Sequence, residues 1–309
     1  MPDSKSHLSP DVLAKITPLG LRAQRVVEGT ISGLHRSPLH GVSVEFADYR
    51  EYAPGDDLKR LDWRAFARSN RYFIKQYEEE SNLRCTMLLD ASASMKYAGR
   101  HAAMSKFDYA ATTAASLAHL LVKQRDAVGL SLIDKEQRAW FRPAATQANL
   151  TKIIDALSVA KPDRETELSV AMNSVAGQIA NRGLVVILSD LLTDLDAFYT
   201  ALGRLRHGGH EILVFQILDT DEIELPFQDS VMFHDIEGKE ELFAEPWAFR
   251  KQYKEAMLAF IEDVRKRCHF ANIDHLLLTT DAPLDTALSH YLHRRQRTGS
   301  AAKGRGGVG

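Results

Sequence analysis

From position 83 onward the chain alternates short continuous apolar runs with longer stretches whose apolar residues recur every three to four positions. The runs at 84–90, 127–133, 184–190, 212–218 and 273–279 are too short for a helix to bury itself and too uniformly apolar for a strand with one wet face. They predict strands covered on both sides. The periodic stretches at 104–124, 149–158, 167–179, 197–205 and 247–268 predict the covering helices. Buried strands separated by helices are the pattern of a doubly wound, mostly parallel α/β sheet. Residues 219–245 carry turn residues and no clear period.

Upstream the pattern differs. Val12, Leu13, Ile16, Leu19, Leu21, Val26 and Val27 approximate a helical period broken at Pro18 and Gly20, which predicts a helix pair or a kinked helix. Between 30 and 82, turn residues, aromatics and alternating charges predict short strands and loops. In Ala53-Pro54-Gly55-Asp56, proline presets φ and glycine accepts positive φ, as a type II turn requires. The expected division is therefore an N-terminal accessory segment of short strands and helix at 1–82, an α/β domain at 83–293, and a Gly-rich tail without fixed structure at 294–309.

The 309 residues include 39 Lys and Arg against 41 Asp and Glu, a formal charge of −2, with 45% hydrophobic and 26% charged residues. This composition excludes disordered, collagen-like and coiled-coil classes, and it leaves no bulk electrostatic reason to bind nucleic acid or an anionic membrane. Cys85 and Cys268 fall outside any metal-ligand spacing and are expected as buried thiols, which suits a reducing compartment. The chain has no run of about 18 apolar residues and no signal-like N-terminus, so no membrane insertion and a cytoplasmic location are expected.

Candidate chemistry concentrates in Asp90-Ala91-Ser92-Ala93-Ser94-Met95, directly after the first apolar run. In an extended loop, side chains at i, i+2 and i+4 point the same way, so one carboxylate and two hydroxyls can converge. An all-oxygen set suits a hard cation, Mg2+ with Mn2+ or Ca2+ as alternatives, rather than zinc. The carboxyl ends of parallel strands are also where ligands bind in open α/β sheets. Three oxygens do not complete an octahedral shell. Thr166, ahead of a predicted helix, and Asp190, at the end of the strongest apolar run, are the further candidate ligands. A competing account makes Asp90 a helix cap and sets the serines and Thr166 to satisfy backbone donors.

Other chemistry is sparse. There is no phosphate-binding G-x-x-x-x-G-K-[ST] loop, no HExxH and no GxSxG. His207 with His210, and His290 with His293, have spacings that could ligate a metal on a helix, but without a third ligand they read as solvent-exposed surface. Arg50, Arg60, Arg64, Arg68 and Arg71 interleave with Asp48, Asp56, Asp57 and Asp62, which reads as ion pairing within a folded segment rather than a basic binding face.

The Asp-x-Ser-x-Ser run with a distant Thr and a distant Asp resembles the metal-ion-dependent adhesion site of von Willebrand factor A domains. That resemblance implies Mg2+ held by Asp90, Ser92, Ser94, Thr166 and Asp190, with an open position for a partner's carboxylate. The blocks Gly41-Val42-Ser43-Val44-Glu45-Phe46, Asp48-Tyr49-Arg50-Glu51-Tyr52, Pro54-Gly55-Asp56-Asp57 and Arg60-Leu61-Asp62-Trp63, followed by Ala67-Arg68, resemble the bacterial family catalogued as domain of unknown function 58. Its members pair this segment with a von Willebrand A-like domain and are associated with MoxR-type AAA+ ATPases. The resemblance thus implies a non-enzymatic interaction module that works with such an ATPase on client proteins. The alternative expectation is a Mg2+-dependent hydrolase or phosphotransferase with Asp90 as nucleophile. Against it, Ser92 stands where a second acid is usually needed, and no general base or Lys is expected to act beside the motif.

Overall fold

The central strand β3 (Arg84–Asp90) is buried along nearly its whole length, as its apolar run requires. Around it the computed structural model describes residues 19, 20, 22, 23, 26, 27, 49–51, 73–75, 83–100, 102–163, 167–234, 241–284 and 288. Two compact units are present, one of residues 1–34 with 83–309 and one of residues 35–82. In the smaller unit, β1 (Tyr49–Glu51) pairs antiparallel with β2 (Phe73–Lys75). The turn expected at 53–56 and the tail at 294–309 lie outside the described residues.

In the larger unit, β3 is followed by a short 3-10 turn at Ala93–Lys96 and by α1 (Lys106–Lys123). Next come β4 (Ala127–Ile133), β5 (Gln137–Ala144), α2 (Gln147–Val159), α3 (Leu168–Ala176) and β6 (Leu184–Ser189). Then follow α4 (Leu195–His207), β7 (Glu211–Leu218), α5 (Thr220–Glu224), a hairpin of β8 (Val231–His234) and β9 (Glu241–Ala244), α6 (Pro246–Phe270) and β10 (Asp274–Thr279). The main sheet has the order β10-β7-β6-β3-β4-β5, parallel except at β5.

Alternation along the strands divides the core. Met87, Leu89, Leu130, Val186, Leu188 and Phe215 face α1, α2 and the helical residues Leu19 and Ala23. Leu88, Ile133, Val185, Ile187 and Val214 face α3, α4 and α6. The expected α/β class is what the chain adopts, with helices on both faces of a largely parallel sheet. Leu19 and Ala23 sit in this core, so the described N-terminal residues pack with the sheet and the accessory segment expected over 1–82 is split at about residue 34.

Local chemistry explains the elements. Ser105 caps α1 by accepting the Asp108 N–H, and the buried Thr112, Thr113 and Ser116 donate their hydroxyls to carbonyls four residues back. The Ala-rich helix can therefore lie close against the sheet. Asp194 caps α4, and Pro246 opens α6. The strand β5 was not expected, because Arg138, Arg142 and Pro143 interrupt its apolar run. It survives as an antiparallel edge strand, where a proline loses no essential hydrogen bond. Similarly, α5 and the β8–β9 hairpin are hidden in the turn-rich 219–245 stretch because each element is only four or five residues long, too short to show a period. Cys85 and Cys268 are buried free thiols, as expected. Among the described residues, no helix is long and apolar enough to cross a membrane.

Gly129 lies in β4 opposite the irregularity where β5 passes Phe141 and Pro143. A Cβ there would stand 2.5 Å from the Phe141 carbonyl oxygen and 2.8 Å from the Pro143 nitrogen, both backbone atoms. Gly129→Ala should therefore destabilise the protein by about 1–3 kcal/mol in urea unfolding. An unchanged midpoint would show that β5 can shift freely.

Candidate functional site

Asp90 ends β3 and Asp190 follows β6, and these two strands are neighbours in the sheet. Between them the strand order reverses: the chain leaves β3 toward β4 on one side and later returns to β6 on the other. This is the position at which open α/β sheets form a crevice beyond their carboxyl ends. Asp90, Ser92, Ser94 and Asp190, four of the five expected ligands, are brought to it. Thr166 lies outside the described residues; its neighbour Glu167 donates its N–H to the Asp134 carbonyl at 3.3 Å, just past the end of β4.

Asp90 is 1% exposed and both its oxygens are engaged. Oδ1 accepts the Ser92 N–H at 2.9 Å, and Oδ2 accepts the Ser189 hydroxyl at 2.6 Å. The Asp90 to Ser92 bond forms a turn ahead of the 3-10 segment and not the helix cap of the competing account, since Ser92 holds the cap position. The serine hydroxyls behave otherwise. Ser92 occupies the cap position of the 3-10 turn but its side chain caps nothing; Ser92 Oγ and Ser94 Oγ instead share a hydrogen bond at 3.1 Å. Two adjacent ligands of an octahedral Mg2+ at 2.0–2.1 Å lie about 2.9 Å apart, so this pair fits a hard-cation edge. Ser94 is half-buried and forms the open side of the cluster. No group of three His, Cys, Asp or Glu side chains disposed to hold a metal occurs among the described residues, so an ion here would depend on the hydroxyls.

The residue missed by sequence reading is Lys106. It is the first residue of α1 and is fully buried, with Nζ 2.8 Å from Asp190 Oδ2 and 2.6 Å from Glu222 Oε1. The expectation that no Lys stands near the motif is therefore corrected. Lys106 is 12 residues past Ser94 in sequence, yet the start of α1 folds back to the strand ends, where the Lys106 N–H donates to the Tyr97 carbonyl. Glu222 belongs to α5. Its Oε2 accepts the Asp219 N–H at 2.9 Å as half of a capping box. Asp219 follows β7 and accepts from the Gly99 N–H and the Thr280 hydroxyl, while Asp221 accepts the Arg100 N–H. The segment after the serines is thereby tied to the ends of two further strands.

Two carboxylates, Asp190 and Glu222, thus share one ammonium, and Asp90 lies close enough to Asp190 to be repelled by it. Burial, with repulsion from Asp190, pushes the Asp90 carboxyl up to about 6. Burial also raises Glu222 against the pull of Lys106. Lys106 is held above the ordinary lysine value: burial works against its charge, but Asp190 and Glu222 outweigh it. Burial and the charges of Asp221, Asp219 and Glu222 push Tyr97 up to about 12. Acidic side chains thus outnumber the one buried ammonium around these strand ends.

A signal for the missed residues does exist in the sequence. Each parallel strand runs into an aspartate: Asp90, Asp134, Asp190, Asp219 and Asp281. Only two of the five were singled out, Asp90 for the serines at i+2 and i+4 and Asp190 for ending the strongest apolar run. The His pairs resolve differently from expectation. His207 is exposed but His210 is buried, contrary to the surface reading, and His290 and His293 lie outside the described residues.

Over residues 48–260 the chain matches a family model described as "Protein of unknown function DUF58". It is 27% identical over 293 residues to the uncharacterized proteins Mb1516 of Mycobacterium bovis and Rv1480 of Mycobacterium tuberculosis, covering 93% of this chain and 91% of each relative. It is also 29% identical over 114 residues to the uncharacterized protein YeaD of Bacillus subtilis, covering 37% of this chain and 26% of that one. Among solved structures, BatB from Bacteroides thetaiotaomicron aligns with a TM-score of 0.46 at 12% identity, covering 70% of this chain and 99% of that one. An aerotolerance-related membrane protein from Bacteroides fragilis aligns at 0.43 and 14% identity, over 66% and 96%.

Removing the ammonium leaves the buried Asp190 uncompensated beside the part-buried Glu222, so Lys106→Met should cost about 3 kcal/mol of unfolding free energy. The double variant Lys106→Met/Asp190→Asn should recover part of that loss; strictly additive effects would disprove the coupling. Asp90 predicts a pH dependence. Its folded pKa lies above the unfolded value, so its contribution to stability is complete below pH 3.8 and is lost as pH rises through about 6 in metal-free buffer. In Asp90→Asn, chemical unfolding followed across that window should lose this component of the slope.

Proposed function

Since the chain belongs to the DUF58 family of proteins of unknown function, its role must be read from the crevice, and we propose that it is a non-enzymatic docking module that binds Mg2+ at the Asp90-x-Ser92-x-Ser94 loop and receives an acidic group of a partner protein. The observation that carries this reading is the serine pair. Ser92 Oγ and Ser94 Oγ face each other at 3.1 Å, and the one at a cap position caps nothing. Hydroxyls left free of backbone duty, beside an over-negative cluster, are what a hard cation needs. The reading also accords with the resemblance of the loop to the adhesion site of von Willebrand factor A domains.

When bound, the ion supplies a bridge, since a divalent charge in this field keeps an open position attractive to a carboxylate. Ser92 and Ser94 would hold it together with Asp90, and Thr166 and Asp190 are the proposed further ligands. Asp90 is preset by the Ser189 hydroxyl and the Ser92 N–H. Lys106 positions Asp190 and limits the repulsion between the two aspartates. The ties from Asp219 and Asp221 to Gly99 and Arg100 fix the segment that leaves the loop. As partner we propose a MoxR-type AAA+ ATPase acting on a client protein in the cytoplasm, on the strength of the family resemblance.

The hydrolase alternative gains one point from Lys106, a buried cation beside the motif that could offset phosphoryl charge. It loses more at position 92, where a serine stands in place of the second acid that such nucleophiles usually need.

Calorimetric titration of the full chain with Mg2+ should show one site. Ser94→Ala should weaken it at least tenfold while the thermal midpoint stays within a few degrees, and Asp90→Ala should abolish it. A wild-type affinity in Ser94→Ala would refute the hydroxyl site. Capture of an AAA+ ATPase from native lysate should require Mg2+ and disappear with chelator. Capture that ignores chelator would rule out the bridge, and phosphate release from generic phosphoesters that is lost in Asp90→Asn would establish the enzyme instead.

A further inference from the structure

At the opposite end of the sheet, the amino ends of β3 and β6 and the far end of β5 enclose a cleft of about 440 Å3. Arg84 opens β3, Leu184 opens β6, Arg142 and Pro143 come from β5, and the connection from α3 contributes Gln178, Asn181 and Gly183. Trp140 and His210 complete the wall, and the lining holds no Asp or Glu.

We infer that this cleft binds a small phosphate-bearing ligand with a planar ring, of nucleotide size. Three independent observations converge on it. His210 is 8% exposed, and its Nδ1 is buried without a hydrogen-bond partner among the described residues, although native interiors rarely leave such an atom unpaired. The guanidinium groups of Arg84 and Arg142 are exposed at the cleft and make no ion pair or hydrogen bond among the described residues. Guanidinium forks match phosphate oxygens, and two of them without a carboxylate nearby concentrate positive potential at the opening. The third observation is the half-buried Trp140 indole, which gives a ring a partner, with the Asn181 amide in the same lining, while the Gln178 amide is paired with Gln137.

The cleft is also built into the backbone. A Cβ on Gly183 would stand 2.2 Å from the Arg84 carbonyl oxygen, so only glycine lets β6 start this close to β3. Gly209, at φ +80°, turns the chain so that His210 enters the protein. Burial lowers the His210 pKa, which favours a neutral imidazole whose Nδ1 is free to donate to or accept from a ligand. The volume falls in the range of small-molecule sites, about 300–1,000 Å3. This inference is independent of the Mg2+ crevice, which lies at the other end of the strands.

The test is calorimetric titration of the full chain with adenosine monophosphate and, separately, with inorganic phosphate, each in the presence of chelator. The expected result is saturable one-site binding, tighter for the nucleotide. Arg142→Gln should weaken both probes at least tenfold, and Trp140→Leu should weaken the nucleotide alone. His210→Ala should weaken both probes without moving Mg2+ binding. No saturable binding of either probe at millimolar concentration would overturn the inference, as would wild-type affinity in both Arg84→Gln and Arg142→Gln. Nucleotide binding that needs Mg2+ and vanishes with chelator would assign it to the other crevice. Equal affinity for the two probes would remove the ring and Trp140 from the proposal.

Discussion

One buried ammonium holds the functional end of this protein together. Lys106 Nζ sits fully buried between Asp190 and Glu222, and burying a charge is tolerable only when it is paired and hydrogen-bonded. The pairing requires that α1 begin beside the strand ends and that α5 present Glu222 from the far side of β7. Two elements far apart in sequence are thus located by one cation. The arrangement is specific because no neutral side chain of similar length could satisfy both carboxylates at once.

Around that pair the strand ends repeat one local device. Asp90, Asp134, Asp190 and Asp219 each accept the backbone N–H two residues further on. This is the turn that lets a buried strand leave the sheet without abandoning its donors. The same device places carboxylates side by side at the mouth of a parallel sheet, where all carboxyl ends point one way. Structural turns and an electronegative crevice are therefore the same residues. What distinguishes the β3 end is the addition of Ser92 and Ser94, whose hydroxyls are not consumed by the turn.

Legibility from sequence followed burial. Strands with both faces covered were apparent because uniform apolar runs have no other economical fold. β5 and the β8–β9 hairpin, half-exposed and carrying Arg, Pro or Glu, were not. The Asp90, Ser92 and Ser94 group was readable from residue types and spacing, although Ala93–Lys96 form a 3-10 turn and not the extended loop expected. Asp190 was readable as the end of a strand. Lys106 and Glu222 were not, because each is an ordinary charged residue in a helix until the fold removes its water. His210 misled for the same reason: next to the exposed end of α4 it looks like surface, and only the turn at Gly209 carries it inside.

The chain by itself determined the α/β class, the positions of the buried strands and the convergence of the Asp-x-Ser-x-Ser loop, because these depend on interactions within a few residues and on periodicity. The tertiary structure decided which strands are neighbours, that β3 and β6 flank the reversal in strand order, and that a lysine twelve residues past Ser94 compensates an aspartate eighty-four positions away from it. It also decided that the sheet has a second, positively lined cleft at its other end. Such pairings depend on distance in space and on the loss of solvent, and neither quantity is carried by any local stretch of sequence.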